Sequence, residues 1–272
     1  MHAILCATPE EMSALKGVLH AQAEPETHGP TRVWRARFGD EAVVLAQAGI
    51  GKVNAAAAAT LLLSAFGARS LIFSGVAGGL NPALGVGSVL LAERMAVHDY
   101  GLVSGGTFTP TAYGVIPMGA PRLTEPEPVE AAVRAVLARL AAAVSGRLDA
   151  RLGGVVTADY FLNCTATRDE LHAQLGADAI DMESGAVALV ARAWGVPLYA
   201  IRTLSDLAGE DSHLTYGEMA AMAARNSALC VEALLTLLAG SQASAVISTS
   251  APLTSATSPT PLPNRARARG EM

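Results

Sequence analysis

Aromatic residues are scarce in this 272-residue chain: Phe, Trp and Tyr make up 4% of it, while apolar residues together reach 51%. A core must therefore be built from Ala, Val, Leu and Ile, which suits helices packed on a buried parallel sheet. Charge is thin as well. Charged residues are 16%, the formal net charge is −5 and the pI is near 5.7, which argues against a nucleic-acid or anionic-membrane surface. The one dense basic cluster, Arg265, Arg267 and Arg269, stands at the extreme end. Cysteine is limited to Cys6, Cys164 and Cys230. Their odd number and wide separation give neither a disulfide framework nor metal spacing, so a reducing cytoplasm is expected. The six histidines include no HExxH or other paired spacing, and no metal is expected. The start, MHAILCATPEE, has no basic n-region and too short an apolar run for a signal peptide. The most apolar long stretch, Val53–Ala65, falls short of a membrane span and reads as an Ala-rich core helix. No internal repeat is evident.

What is present is an alternation of strand and helix patterns over residues 1–240. It predicts one three-layer α/β domain, with a central mixed, mostly parallel sheet flanked by helices. His2–Ala7 reads as a strand, and Thr8-Pro9 as the N-cap and first turn of a helix to Val18. Thr31–Phe38 and Glu41–Ala48 read as a hairpin across Gly39-Asp40, and Gly49-Ile50-Gly51-Lys52 as the turn into helix Val53–Phe66. Ser70–Ser74, Ser88–Val97 and Leu152–Thr157 read as strands. Pro126–Val144, Arg168–Leu175 and Thr215–Leu238 read as helices. His98–Arg122, rich in Gly and Pro, is expected to be a lid or interface segment. From Ser241 to Met272 the composition turns to Ser, Thr, Ala and Pro and then Arg, and a disordered tail is expected.

The chain is organised around Ala177–Ala208. Two short apolar runs, Ala177–Ile180 and Pro197–Thr203, flank a helix marked by Val187, Val190, Ala191 and Trp194 and stopped by Gly195 and Pro197. This predicts a βαβ unit with parallel strands. The runs lead into Asp181-Met182-Glu183 and Ser205-Asp206. Carboxylates at strand ends mark the usual ligand crevice of an open α/β sheet. The same two acids also suit a helix N-terminus and a loop cap. Thr8–Glu11, Gly75–Gly79 and Asp159–Leu162 leave strand ends in the same way, so all five stretches are expected to converge. The Gly75–Gly79 segment, read as a loop, has neither Walker nor dinucleotide-fold spacing, and small residues also simply let a helix approach a sheet.

Six stretches, in order and with similar spacing over about residues 2–238, resemble the nucleoside phosphorylase/nucleosidase superfamily, and most closely the 5′-methylthioadenosine/S-adenosylhomocysteine nucleosidases. They are Glu10-Glu11 before a helix, AGIGKVNAA (Ala48–Ala56), SGVAGGL (Ser74–Leu80), DYFLN (Asp159–Asn163), DMES (Asp181–Ser184) and RTLSDLAGEDSHLTY (Arg202–Tyr216). The resemblance implies hydrolysis of the N-glycosidic bond of an adenine 5′-thioribonucleoside without a cofactor, in a homodimer, as part of methionine salvage. It implies that Asp206 protonates adenine N7 as the bond breaks, oriented by Ser205, and that Glu11 positions and deprotonates the water. Glu183 would hold the ribose hydroxyls, Met182 would pack on the sugar, and Arg202 would fix the carboxylates. Val76, Ala77 and Gly78 would line the ribose and water. Phe161 would stack on adenine and the Leu162 backbone read its edge. Ile50 and Tyr216 would line the 5′-alkylthio side.

Two departures stand out. Val76 occupies a position where the resemblance leads one to expect Ser or Thr, and Tyr216 one where Phe is usual. Three alternatives follow from the same residues. A purine nucleoside or uridine phosphorylase would need a cationic phosphate site, which neither Thr8–Leu15 nor Gly75–Gly79 supplies. A hydrolase of another purine nucleoside, such as futalosine, fits the same acids. A non-catalytic nucleoside binder would need no acid and base flanking one bond.

Overall fold

The computed structural model describes residues 1–115 and 125–249, with side chains up to Gly240. The chain opens with β1 (His2–Cys6), then α1 (Pro9–Val18), β2 (His20–Ala21), β3 (Glu26–His28), β4 (Thr31–Phe38), β5 (Glu41–Gln47) and α2 (Lys52–Ser64). Next come β6 (Leu71–Gly79), β7 (Val89–Val97), β8 (Gly101–Ser104), β9 (Thr107–Pro110) and β10 (Glu127–Pro128). The rest is α3 (Ala131–Val144), β11 (Ala150–Thr157), α4 (Thr165–Leu175), β12 (Ala179–Asp181), α5 (Ser184–Trp194), β13 (Leu198–Asp206) and α6 (Ser212–Thr249).

One mixed sheet runs in the order β10-β7-β11-β12-β6-β1-β5-β4-β2, with β13 beside both β6 and β7. It contains two parallel blocks of opposite sense. In one, β1 pairs in parallel with β5 and β6, and β6 with β13. In the other, β11 pairs in parallel with β7 and β12. The blocks meet antiparallel where β12 joins the end of β6 and β13 joins β7. The expected βαβ unit is thereby corrected. The strands flanking α5 are not parallel neighbours, because β6 lies between β12 and β13 and pairs with them in opposite senses. Every residue of β13 is buried, as expected of a central strand with both faces covered.

Helices cover both sides. Ala55, Ala58, Ala59 and Leu62 of α2 pack with Val187 and Ala191 of α5 over Phe73 of β6. On the other face Met12 and Leu15 of α1, Leu137 and Leu140 of α3, and Val231 and Leu234 of α6 pack over Ile4, Ile72 and Ile201. The smallness of the alanines allows close approach where aromatic bulk is lacking. By length and composition α6 could cross a membrane, but Ala223, Ala224, Ser227, Ala228, Val231 and Leu234 are spent against this core.

Three boundaries differ from expectation. The helix expected over Pro126–Val144 begins at Ala131, because Glu127-Pro128 adds to the edge of β7. Gly75–Gly79 is not a loop but the second half of β6, held there by pairing with β13 and β12 despite the low strand preference of glycine. The last helix extends beyond Leu238 to Thr249. Part of the segment Ser241–Met272 is therefore helical backbone, and its remainder, 250–272, lies outside the described residues. So do residues 116–122 of the expected lid, with 123 and 124 beyond it; its earlier part forms the two-stranded β8–β9 hairpin.

Candidate active site

A cavity of about 430 Å³ opens where β1, β6, β12 and β13 end, and Glu11, Glu183 and Asp206 all line it. Thr8 caps α1, and its hydroxyl accepts from Glu11 N–H at 3.3 Å. Glu11 answers with Oε2, which accepts from the N–H groups of Ala7 at 2.7 Å and Thr8 at 3.0 Å. This capping box locks the first turn. It also leaves Oε1 directed across to β6, where Val76 N–H donates to it at 2.9 Å. Glu11 is thus both a helix-cap acid and a cavity wall, 4% exposed.

Asp206 ends β13. Its Oδ2 accepts from the Ser205 hydroxyl at 2.9 Å and its Oδ1 from Ala208 N–H at 2.9 Å. Burial raises its pKa, only partly offset by the Ala208 N–H and the Ser205 and Ser212 hydroxyls. Asp206 therefore caps its own loop and also faces the cavity. Gly78 lies against its Oδ1, where a β-carbon would come to 3.1 Å.

Glu183 stands just before α5, but its carboxylate caps nothing there. Oε1 accepts from Gly51 N–H at 2.9 Å, and Oε2 lies 3.4 Å from Arg202 Nη2. Gly51 has a φ of 98°, a conformation that favours glycine and turns its N–H toward Glu183. Burial, with the neighbouring charges of Asp181 and Glu11, pushes the pKa of Glu183 up to about 7 against the pull of Arg202 and the Gly51 N–H.

Arg202 does not line the cavity; it lies beneath, fully buried. Its Nε donates to Asp181 Oδ2 at 2.8 Å and to the Ser184 hydroxyl at 3.1 Å, and its guanidinium sits 3.7 Å over the Phe73 ring. Gly75 makes this packing possible. A β-carbon there would collide with both the Arg202 guanidinium and the Glu11 carboxylate.

The other expected residues gather at the same cavity. Ile50, Val76, Ala77, Gly78, Leu162, Met182 and Ser205 line it, as do Phe161 and Tyr216, whose rings meet edge to face at 5.9 Å. All thirteen expected residues are in or directly under one site, and Arg202 alone sits behind its wall. Sequence reasoning missed Asp181, Thr157, Gly75 and Tyr160. Asp181 is 6% exposed and accepts from Thr157 Oγ1 at 2.6 Å as well as from Arg202. Its place in DMES was visible, its partners were not. Among the described residues, the cavity wall contains no Arg or Lys, and no group of three His, Cys, Asp or Glu is placed to hold a metal.

The arrangement is an apolar slot with Asp206 at one end and Glu11 and Glu183 at the other, burial raising the pKa of Asp206 and of Glu183. It suits an uncharged ligand on which positive charge develops.

Comparison with known proteins agrees. The family model described as the phosphorylase superfamily matches residues 1–236. A 5′-methylthioadenosine/S-adenosylhomocysteine nucleosidase of Mycobacterium bovis is 39% identical over 238 residues, 82% of this chain and 93% of the relative. An aminodeoxyfutalosine nucleosidase of Campylobacter jejuni is 32% identical over 228 residues, 83% of this chain and 94% of the relative. Among solved structures, the Neisseria meningitidis 5′-methylthioadenosine/S-adenosylhomocysteine nucleosidase in complex with methylthio-immucillin-A superposes with a TM-score of 0.73 at 28% identity, covering 86% of this chain and 97% of that one. The chain belongs to the phosphorylase superfamily and, within it, to the 5′-methylthioadenosine/S-adenosylhomocysteine nucleosidase family.

Proposed function

We propose that this enzyme hydrolyses the N-glycosidic bond of 5′-methylthioadenosine and S-adenosylhomocysteine, releasing adenine and a thioribose. The observation that carries the reading is the meeting of Glu11, Glu183 and Asp206 around one cavity whose wall, among the described residues, has no Arg or Lys. Adenine leaves poorly as an anion, so N7 must gain a proton as the bond to C1′ breaks. Asp206, its pKa raised by burial, is the acid placed to deliver that proton, and Ser205 orients it. The ribose becomes oxocarbenium-like. Water adds at C1′ and gives up its proton to Glu11, whose Oε1 is held by Val76 N–H. Glu183 accepts from the 2′- and 3′-hydroxyls, and the acids at this end stabilise the cationic sugar. Met182 packs on the sugar, Phe161 stacks on the base, the Leu162 backbone reads its edge, and Ile50 and Tyr216 border the 5′-substituent.

Phosphorolysis is disfavoured, because a phosphate dianion here would meet carboxylates without a free cation. A second reading, hydrolysis of an adenine nucleoside with another 5′-group, draws on the likeness to the aminodeoxyfutalosine nucleosidase and on the exposed position of Ile50. A homodimer fits exposed Ile50 and Val53 at the head of α2, and a cytoplasmic setting fits three free cysteines. A place in methionine salvage fits the thioribose product of the proposed reaction.

The test is product analysis on a panel of nucleosides with and without phosphate. Adenine and free thioribose at a rate independent of phosphate are expected. A sugar 1-phosphate would overturn the hydrolytic reading.

A further inference from the structure

The GIGK turn contributes more to this site than Ile50. We propose that Lys52 is a positioning residue, which couples the loop carrying the base-stacking Phe161 to the turn that holds the ribose carboxylate Glu183. The proposal rests on the base and ribose assignments made above.

Helix α2 begins at Lys52, and its first N–H groups have no partner within the helix. Two of them are used by acids from elsewhere in the chain. Gly51 N–H goes to Glu183 at 2.9 Å, and Lys52 N–H goes to Asp159 Oδ1 at 2.9 Å. The Lys52 ammonium then closes a second ring. It pairs with Asp99, two residues past the end of β7, and lies 3.5 Å from Asp159 Oδ2. Asp99 in turn accepts from the Asp159 backbone N–H at 2.8 Å. One cation with two carboxylates therefore ties together three segments that are 47 and 60 residues apart along the chain.

What these segments carry decides the consequence. Asp159 precedes Tyr160, Phe161 and Leu162, the part of the cavity wall that faces the base. Gly51 directly precedes Lys52 and fixes Glu183. Lys52 itself is not in the cavity wall and touches none of the reacting positions. Asp206 and Glu11 sit on β13 and α1, outside this ring. Loosening the ring frees the base loop and the ribose carboxylate together, while the proton donor and the water site keep their own supports. Were the cluster only a pair at the protein surface, its loss would do little to stability or catalysis.

The experiment compares wild type with K52M, K52R, D159N and the K52M/D159N double variant, using 5′-methylthioadenosine and reading KM, kcat and melting temperature. K52M is expected to raise KM about tenfold while kcat moves less than about threefold, since binding geometry rather than chemistry is disturbed. K52R should recover most of the loss. D159N should resemble K52M, and the double variant should be little worse than either, as residues acting through one unit are not additive. A KM within roughly twofold of wild type in K52M, or fully additive losses in the double variant, overturns the proposal. Should K52M fail to fold, D159N decides by the same threshold. Wild type that releases no adenine from this nucleoside would instead sink the functional reading above, so the two failures are told apart.

Discussion

The two ends of the cavity are built on opposite electrostatic plans. At the proposed base end, Asp206 is held by the Ser205 and Ser212 hydroxyls and one backbone N–H, and is paired with no Arg or Lys among the described residues. At the ribose end, Glu183 shares the buried Arg202 with Asp181, and Glu11 is held by three backbone N–H groups. Burial raises the pKa of both Asp206 and Glu183, so the ends differ in their partners: hydroxyls and one N–H at the proposed proton donor, a shared guanidinium and backbone N–H groups at the proposed acceptors.

The largest effect is expected from removing the proton at the base end. D206N should lower kcat by about 10³-fold, within the range ascribed to general acid catalysis. A transition-state mimic should still bind nearly as tightly, and the melting temperature should not fall, because a buried ionisable group has become neutral. Full turnover by D206N, measured as adenine release, would end the contrast between the two ends.

That contrast was only partly legible in the sequence. Thr8-Pro9-Glu10-Glu11 announces a capped helix locally, and the structure builds that cap. The three acids could be picked out because each follows an apolar run. What could not be read is pairing across the chain. Asp181 and Arg202 are 21 residues apart, and nothing local says that they meet. Gly75–Gly79 reads as a loop from composition, yet neighbours on both sides hold it as strand. The opposite senses of β12 and β13 depend on β6, about a hundred residues earlier in the chain and far outside the window of about 11–18 residues in which periodicity is read. Gly75 in particular looked like packing space and proves to be the gap through which Arg202 and Glu11 approach each other.

A smaller loss should follow at the water side, and it differs in kind. In E11Q the side chain must present an amide group to three N–H donors, and one of them loses its acceptor. Turnover should fall about 10²-fold, and the weakened cap should also cost about 1 kcal/mol of stability. Kinetics together with thermal unfolding check both. Wild-type turnover would move water activation to another group, whereas lost turnover with unchanged stability would mean that the cap is held by Thr8 alone.

The smallest effect is read in the pH dependence of stability rather than in rate. Burial and two like charges raise Glu183 from 4.5 in its ordinary state to about 7. Between those values the folded protein binds a proton that the unfolded chain has released. Stability therefore falls as pH rises through this window, and is flat in this respect below it and above it. Glutamine cannot titrate, so E183Q should remove this slope and gain stability relative to wild type as pH rises from 5 to 8. Denaturant midpoints at pH 5, 6, 7 and 8 measure it. D206N should remove a slope of the same sign at its own end, for its pKa is raised too. If instead wild type and E183Q have parallel profiles, Arg202 keeps Glu183 ionised throughout. The ribose end would then be two fixed anions balanced on one cation, a stronger version of the contrast with Asp206.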